Sequence, residues 1–357
     1  MNPAALTQTA LNQHPWPTGP RQGWLPQDIT IAQLQHRFGP AEIAAIKQLI
    51  AKIRAADTPL LEVKPEQFRD AVLDAFMLPL VDELKQGPGL VLLSGFDALG
   101  SNLDDWRLAY WGIGSYFGDQ VSQSVRGDLL GDVKVRPGNS GGRVYTSSAT
   151  VRLHSDRIDM LSLLCVQNAM KGGENGFASS LAIREIVKRE RPDVLKLLER
   201  GFRQSRNGEE QPGQPPITDY RVPVFAEKDG VMSCLLSGNG SLVHQRNSVK
   251  DDLTENEVEA LQYFESVLQR PEIRITVPLQ IGEAVFLNNY EVVHARDQFE
   301  DSDDPAKKRH LLRMWLAGRP ARPRIAEQTV SPNPSGKQGI DPQPDKVAAD
   351  GSIITAR

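Results

Sequence analysis

Cysteine is almost missing from this chain of 357 residues, which has only Cys165 and Cys234. Two thiols set in apolar stretches cannot staple a fold, so a disulfide framework is excluded and a reducing compartment is implied. An excess of one charge is missing too: 41 Lys and Arg stand against 45 Asp and Glu, a formal net charge of −4. That balance leaves no basic footprint for nucleic acid as a main partner. Long hydrophobic runs are also absent. The longest, around Leu90–Leu93 and Leu163–Val166, are far too short to span a bilayer, so no membrane partner is expected. No basic start followed by an apolar run appears in the first 30 residues, which reads as a cytoplasmic chain without a secretory signal. Neither a Gly-rich phosphate loop nor an internal repeat is present. What the chain does have is 39% hydrophobic residues, enough for a sizeable core.

The two ends differ from the middle. Residues 1–30 read as an irregular arm, with Pro3, Pro15, Pro17, Pro20 and Pro26 among polar residues. Residues 321–357 form a Pro-rich tail, read first as a mobile or surface-wrapped extension. Between them, residues 31–320 carry mixed signals. Ile43, Ile46, Ile50 and Ile53 recur at helical spacing after Pro40. A second helix is predicted from Pro65 to Lys85, bent at Pro79, and others over Ser180–Glu190 and Pro192–Glu199. Thr254 and Glu257 have the form of a capping box opening another. Strands are predicted at Leu90–Leu93, Met160–Val166, Tyr220–Phe225, Val231–Leu236, Ile273–Leu279, Ala284–Leu287 and His310–Leu316. Many short strands without regular βαβ alternation indicate an α+β fold with a mainly β core, a barrel or sandwich at its centre.

Of the six histidines, only His154 has a carboxylate two residues away, in Leu153-His154-Ser155-Asp156. On an extended chain, positions i and i+2 share a face, so His154 and Asp156 could hold one metal ion together. Read alone, the pair is equally a surface histidine beside a solvated aspartate. A second cluster changes the balance: Phe286 to Arg296 includes His294, and Arg309 to Leu316 follows an acidic loop. His294 could supply a third ligand from across a barrel. Two histidines and one carboxylate leave three positions open on a metal, an arrangement suited to non-haem Fe(II) and oxygen activation. Arg309 and Arg313 are unusual on an otherwise apolar strand, and a guanidinium inside a barrel needs a partner, at best a bidentate carboxylate. Each could be half of an internal salt bridge. The ligand that suits both the arginines and the iron is 2-oxoglutarate, a small dicarboxylate able to chelate.

These residues resemble the Fe(II)/2-oxoglutarate-dependent oxygenases of the taurine dioxygenase and 2,4-dichlorophenoxyacetate dioxygenase type. The resemblance covers about Gly87–Pro320: the Gly89–Phe96 strand, His154-x-Asp156, Lys171-Gly172-Gly173-Glu174, His294 and Arg309-x-x-x-Arg313. It implies a distorted double-stranded β-helix (a cupin-like jelly roll) with flanking α-helices. It implies Fe2+ held by His154, Asp156 and His294, which are the catalytic centre. Arg313 would bind the distal carboxylate of 2-oxoglutarate and Arg309 would lie near its chelating end. The chain departs from the family in the acidic loop Asp301–Pro305, which lengthens the step to the arginines. It departs again where the family carries a threonine against the co-substrate: here stand Ala178, Ser179 and Ser180, and Ser179 is the candidate hydroxyl.

The implied reaction oxidises, and with Asp156 present most simply hydroxylates, a C–H bond of a small polar molecule, while 2-oxoglutarate and O2 become succinate and CO2. Arg136, Arg143 and the Gly-rich stretch 137–142 are candidates to grip a polar or anionic substrate. Trp106, Trp111, Tyr116 and Phe117 are expected to pack the core. The other readings are a metal-dependent hydrolase and a catalytically inactive small-molecule-binding jelly roll, but both leave the two arginines without a task. The motif pieces run from Gly89 to Arg313, so one domain is expected, and homo-oligomerisation is left open.

Overall fold

Along each central strand, successive apolar side chains leave on opposite sides, and the two sets settle into different cores. The computed structural model describes residues 14–135, 147–236 and 253–347. Its fifteen described strands are β1 (Gln35–Arg37), β2 (Leu90–Ser94), β3 (Gly118–Val121), β4 (Leu130–Val133), β5 (Val151–His154), β6 (Met160–Gln167), β7 (Lys171–Gly172), β8 (Asn175–Ser179), β9 (Phe225–Lys228), β10 (Val231–Cys234), β11 (Ile275–Val277), β12 (Glu283–Asn288), β13 (Val292–Arg296), β14 (Phe299–Glu300) and β15 (His310–Gly318). The longer helices are α1 (Pro40–Ala55), α2 (Ala71–Gln86), α3 (Leu103–Phe117), α4 (Ser180–Glu190), α5 (Pro192–Arg200) and α6 (Glu255–Leu268). A seven-stranded sheet runs β1-β2-β12-β6-β15-β3, with β4 also paired to β15, and a four-stranded sheet runs β11-β8-β13-β5.

The two sheets face each other. Leu92, Leu161, Leu163, Val285, Leu287 and Trp315 from the large sheet meet Phe177, Val277 and Val292 from the small one. The alternate residues of the large sheet, among them Val91, Leu164, Phe286, Leu312 and Met314, pack outward against α1, α2 and α3. Ala178, Val293, Ala295 and Leu153 of the small sheet pack outward against α4, α5 and α6. The result is helix, sheet, sheet, helix. Trp106, Trp111, Tyr116 and Phe117 all lie in the outer core, as expected.

Several expected boundaries move, each for a local reason. The helix predicted from Pro65 is interrupted: Pro65–Phe68 is a 3-10 turn, and α2 begins only after Asp70. Asp70 is extended and its carboxylate accepts from Val72 N at 2.9 Å, so it caps a new helix instead of continuing an old one. The strand predicted over Tyr220–Phe225 starts only at Phe225. Pro223 has no N–H to give a ladder, and Val222 makes a lone bridge with Phe202. The strand predicted over Ile273–Leu279 shortens to Ile275–Val277, because Pro271–Ile273 takes a 3-10 turn and Pro278 cannot donate. The Thr254–Glu257 capping box is present at α6, and both cysteines are buried free thiols.

Neither end floats free where it is described. Trp16 and Trp24 are buried, their indoles donating to Pro320 O (2.9 Å) and Pro88 O (2.8 Å). In the tail, Ile340 N donates to Ser122 O (2.8 Å) and Gln343 N to Val125 O (2.7 Å). No helix among the described residues is long and apolar enough to cross a membrane.

Candidate metal centre

Strand alternation aims the chemistry inward. Leu153 faces the outer helices, so His154 faces the space between the sheets; Val293 and Ala295 do the same for His294. Antiparallel pairing of β13 with β5 sets His294 directly opposite His154, and their ring centroids are 4.1 Å apart. Asp156 follows just past the end of β5. One ligand atom from each of His154, Asp156 and His294 can be chosen so that all lie within 4.8 Å of one another.

The hydrogen bonds around this cluster leave its lone pairs free. His154 Nδ1 is 2.9 Å from Arg152 O, an acceptor only, so Nδ1 carries a proton and Nε2 is the nitrogen left to act as a ligand. His154 Nε2 lies 3.8 Å from Asp156 Oδ1. The other carboxylate oxygen, Oδ2, accepts from Trp315 Nε1 at 2.8 Å and faces Arg313 Nη1 at 3.4 Å. The buried His294 Nδ1 has no hydrogen-bond partner. A nitrogen pair and a carboxylate with an orphaned imidazole atom fit a divalent transition metal, and the three donors match the set used by non-haem iron.

Electrostatics favour the metal-ready protonation state. Burial works against ionisation of Asp156. Arg313, then His294 and His154, outweigh it and, with the Trp315 hydrogen bond, hold the carboxyl at about 2. Burial, reinforced by His154, pushes His294 well below the ordinary histidine range, so it is neutral near pH 7.

Asn289, in the β12–β13 turn, is fully buried. Its Oδ1 accepts from Asp156 N at 2.9 Å, while Nδ2 donates to Asp156 O at 2.6 Å and to Ile158 O at 2.7 Å. It therefore fixes the backbone around Asp156.

The two arginines have different surroundings. Arg313 lies inward between outward-facing Leu312 and Met314. Its Nε donates to Gln123 Oε1 (2.6 Å), and Gln123 Nε2 returns a bond to Arg313 O (2.9 Å). Arg309 is 4% exposed, its guanidinium 5.1 Å from the Phe299 ring and its Nη2 3.4 Å from Gly173 O. Gly173 has φ +82°, a conformation that favours glycine, and a Cβ there would come 3.1 Å from Arg309 Nε. Burial, with only Cys165 and Asp301 in compensation, lowers the Arg309 pKa. Arg296, two residues past His294, is also buried and donates to Ser147 O and Ala149 O, just before β5. Burial and the nearby Arg309 bring its pKa down to about 10.

Ser179 is not brought to the arginines. It pairs with Val292, and its hydroxyl caps α4 by accepting from Ala182 N at 3.4 Å. Asn175, at the opposite end of β8 and paired with Arg296, is the buried polar residue on that side. Of the motif's flanking cations, Arg152 is exposed, and Arg157 turns to Ser205 O (2.9 Å), Ser331 Oγ (3.3 Å) and Glu209 (3.4 Å). Arg136, Arg143 and the stretch 137–142 lie outside the described residues. Sequence reasoning missed Trp315, Asn289 and Gln123. Only Asn289 left a trace, as a second amide closing an apolar strand.

The chain is similar to several known proteins. Residues 56–315 match the family model described as "Taurine catabolism dioxygenase TauD, TfdA family". FR-33289 synthase of Streptomyces rubellomurinus is 30% identical over 249 residues, spanning 66% of this chain and 71% of that protein. The crystal structure of asparagine oxygenase with Fe(II), 3-hydroxyasparagine and succinate has a TM-score of 0.62 at 16% identity, covering 79% of this chain and 93% of that one. The non-haem iron oxygenase OrfP, solved with Fe and α-ketoglutaric acid, has a TM-score of 0.57 at 16% identity, again over 79% and 93%.

Proposed function

The chain belongs to the TauD, TfdA dioxygenase family, and from that premise we propose that His154, Asp156 and His294 hold its catalytic Fe(II). The enzyme is a 2-oxoglutarate-dependent dioxygenase, and the hydrolase and inactive-binder readings are set aside. Bound together, Fe(II) and 2-oxoglutarate supply O2-driven oxidation of a C–H bond, with succinate and CO2 as the co-products. The single observation carrying the residue assignment is the convergence of three ligand atoms within 4.8 Å on neighbouring strand ends.

The protein's own contribution is ligation, charge and exclusion. Neutral His294 and ionised Asp156 present lone pairs without first losing a proton, and the hydrogen bond at His154 Nδ1 leaves Nε2 as that ring's ligand atom. Arg313 sits at the metal end, beside Asp156. Arg309 stands away from the triad against Gly173 and Phe299. That separation supports exchanging the roles the sequence suggested: Arg309 for the distal carboxylate of 2-oxoglutarate, with Asn175 as the neighbouring hydrogen-bond donor in place of Ser179. Arg313 then serves the metal-proximal side. A small polar substrate suits a site walled by arginine and amide groups. The two facing sheets are read as the distorted double-stranded β-helix, within a domain of residues 31–320. A cytoplasmic location suits the free buried thiols.

The test is succinate formation with Fe(II), 2-oxoglutarate and O2. His154→Ala and Asp156→Ala should abolish it while leaving the far-ultraviolet circular dichroism unchanged. Arg309→Ala, losing a charged hydrogen-bond pair of about 1.5–3 kcal/mol, should raise the KM for 2-oxoglutarate about 10- to 100-fold. Turnover that survives loss of Asp156 would refute the metal assignment, and an unchanged KM in Arg309→Ala would refute the exchange of roles.

A further inference from the structure

Trp315 reaches the centre from the opposite sheet. It lies on β15 between Met314 and Leu316, which both face the outer helices, so its indole enters the space between the sheets. It is 3% exposed and pairs with Leu161 on one side and Val121 on the other, which fixes its place on the sheet. An indole N–H in so dry a setting needs an acceptor. The acceptor is Asp156 Oδ2, at 2.8 Å.

We infer that Trp315 is a positioning residue that holds Asp156 so that only one of its oxygens serves the metal, an inference that rests on the metal-centre reading above. Its N–H occupies Oδ2, and Arg313 Nη1 approaches the same atom at 3.4 Å. Oδ1 is left on the side of His154 Nε2, 3.8 Å away. The number of ligand atoms matters chemically. Three single-point protein ligands leave three positions on a six-coordinate metal, enough for a chelating 2-oxo acid and O2. A carboxylate rotated to give both oxygens would take one of those three. Arg313 cannot do this work alone, since its Nε is committed to Gln123 and its contact with Oδ2 is longer. Among the described residues the indole N–H of Trp315 donates to Asp156, and partners of this kind tune a metal ligand's direction and affinity.

The experiment is a titration of the purified metal-free protein with Co(II), followed by visible absorption, with a thermal melt of each metal-free variant alongside. Trp315→Phe keeps an aromatic ring in the cavity and removes the N–H. Its Co(II) dissociation constant is expected to rise about 10- to 100-fold, with an altered absorption envelope. Trp315→His, which restores a ring N–H, is expected to recover part of that loss. A Trp315→Phe protein that binds Co(II) as tightly as wild type, with the same spectrum, overturns the inference. If Trp315→Phe does not fold, the histidine variant decides: affinity within a few-fold of wild type supports the role, and a loss beyond 100-fold in a folded protein overturns it. Wild-type protein that takes up no stoichiometric Co(II), or an Asp156→Ala variant that binds it equally well, overturns the metal-centre reading and this inference together. Wild-type binding with an indifferent Trp315 overturns the inference alone.

Discussion

Replacing Asn289 with alanine removes three hydrogen bonds at once, all to backbone within three residues of one another. The amide is fully buried, and its partners are Asp156 N, Asp156 O and Ile158 O at 2.9, 2.6 and 2.7 Å. Each such bond contributes about 0.5–1.5 kcal/mol net, and each partner left dry costs about 1–3 kcal/mol. These terms overlap, because one water entering the vacated space would satisfy part of the set. A loss of about 3–4 kcal/mol is therefore expected. In a domain of this size that lowers the melting temperature by about 6–10 °C. The assay is urea unfolding of the metal-free protein, followed by tryptophan fluorescence and compared with wild type at constant m. Asn289→Asp is the matched variant: it keeps the acceptor for Asp156 N–H but turns an oxygen toward two carbonyls, so it should be at least as destabilising. A loss below about 1 kcal/mol in Asn289→Ala, or an Asn289→Asp protein as stable as wild type, would refute the claim that this amide fixes the ligand strand.

Two further predictions concern parts that support the site. Burial opposes ionisation of Asp132, but the hydrogen bond from His310 (2.6 Å) and the charge of Arg107 (2.6 Å) hold its carboxyl at about 2, below the ordinary 3.8. A depressed folded-state pKa contributes stability that is complete above about pH 4 and is lost as pH falls toward 2. Discounted for partial exposure, Asp132→Asn should cost about 1–2 kcal/mol at pH 6. Its stability should then change less than wild type's between pH 4 and 2; parallel profiles would refute the pairing. In the tail, Ile340 is 4% exposed and joins the core that holds Trp315. Ile340→Ala should cost about 2–4 kcal/mol by urea unfolding, whereas a merely draped tail would lose under 0.5 kcal/mol.

Much of the architecture could be read from local pattern. Ser180–Glu190 was legible as a helix because its apolar residues recur on one face between clear stops, and the capping box at Thr254 marked α6 to the residue. Where prediction slipped, prolines and caps acted through their immediate neighbours: Asp70 restarted a helix, and Pro223 and Pro278 cut strands short. His154-x-Asp156 was legible because its spacing survives any extended conformation. Ser179 was a candidate by its chemistry alone: a hydroxyl near the expected position says nothing of what it bonds, and here it caps a helix.

By itself, the sequence determined the fold class, the three metal-ligand candidates and the presence of two inward arginines, because strand alternation and ligand chemistry are properties of neighbouring residues. Only the tertiary structure decided which arginine stands beside Asp156, and that Trp315 and Asn289 hold that residue. It also showed the described parts of both Pro-rich ends to be packed, with Trp16, Trp24 and Ile340 buried. Each of those facts depends on register between strands far apart in the chain: Trp315 lies opposite Leu161, and His294 opposite His154. Such register is set by the packing of both sheet faces together, which no local stretch of sequence contains.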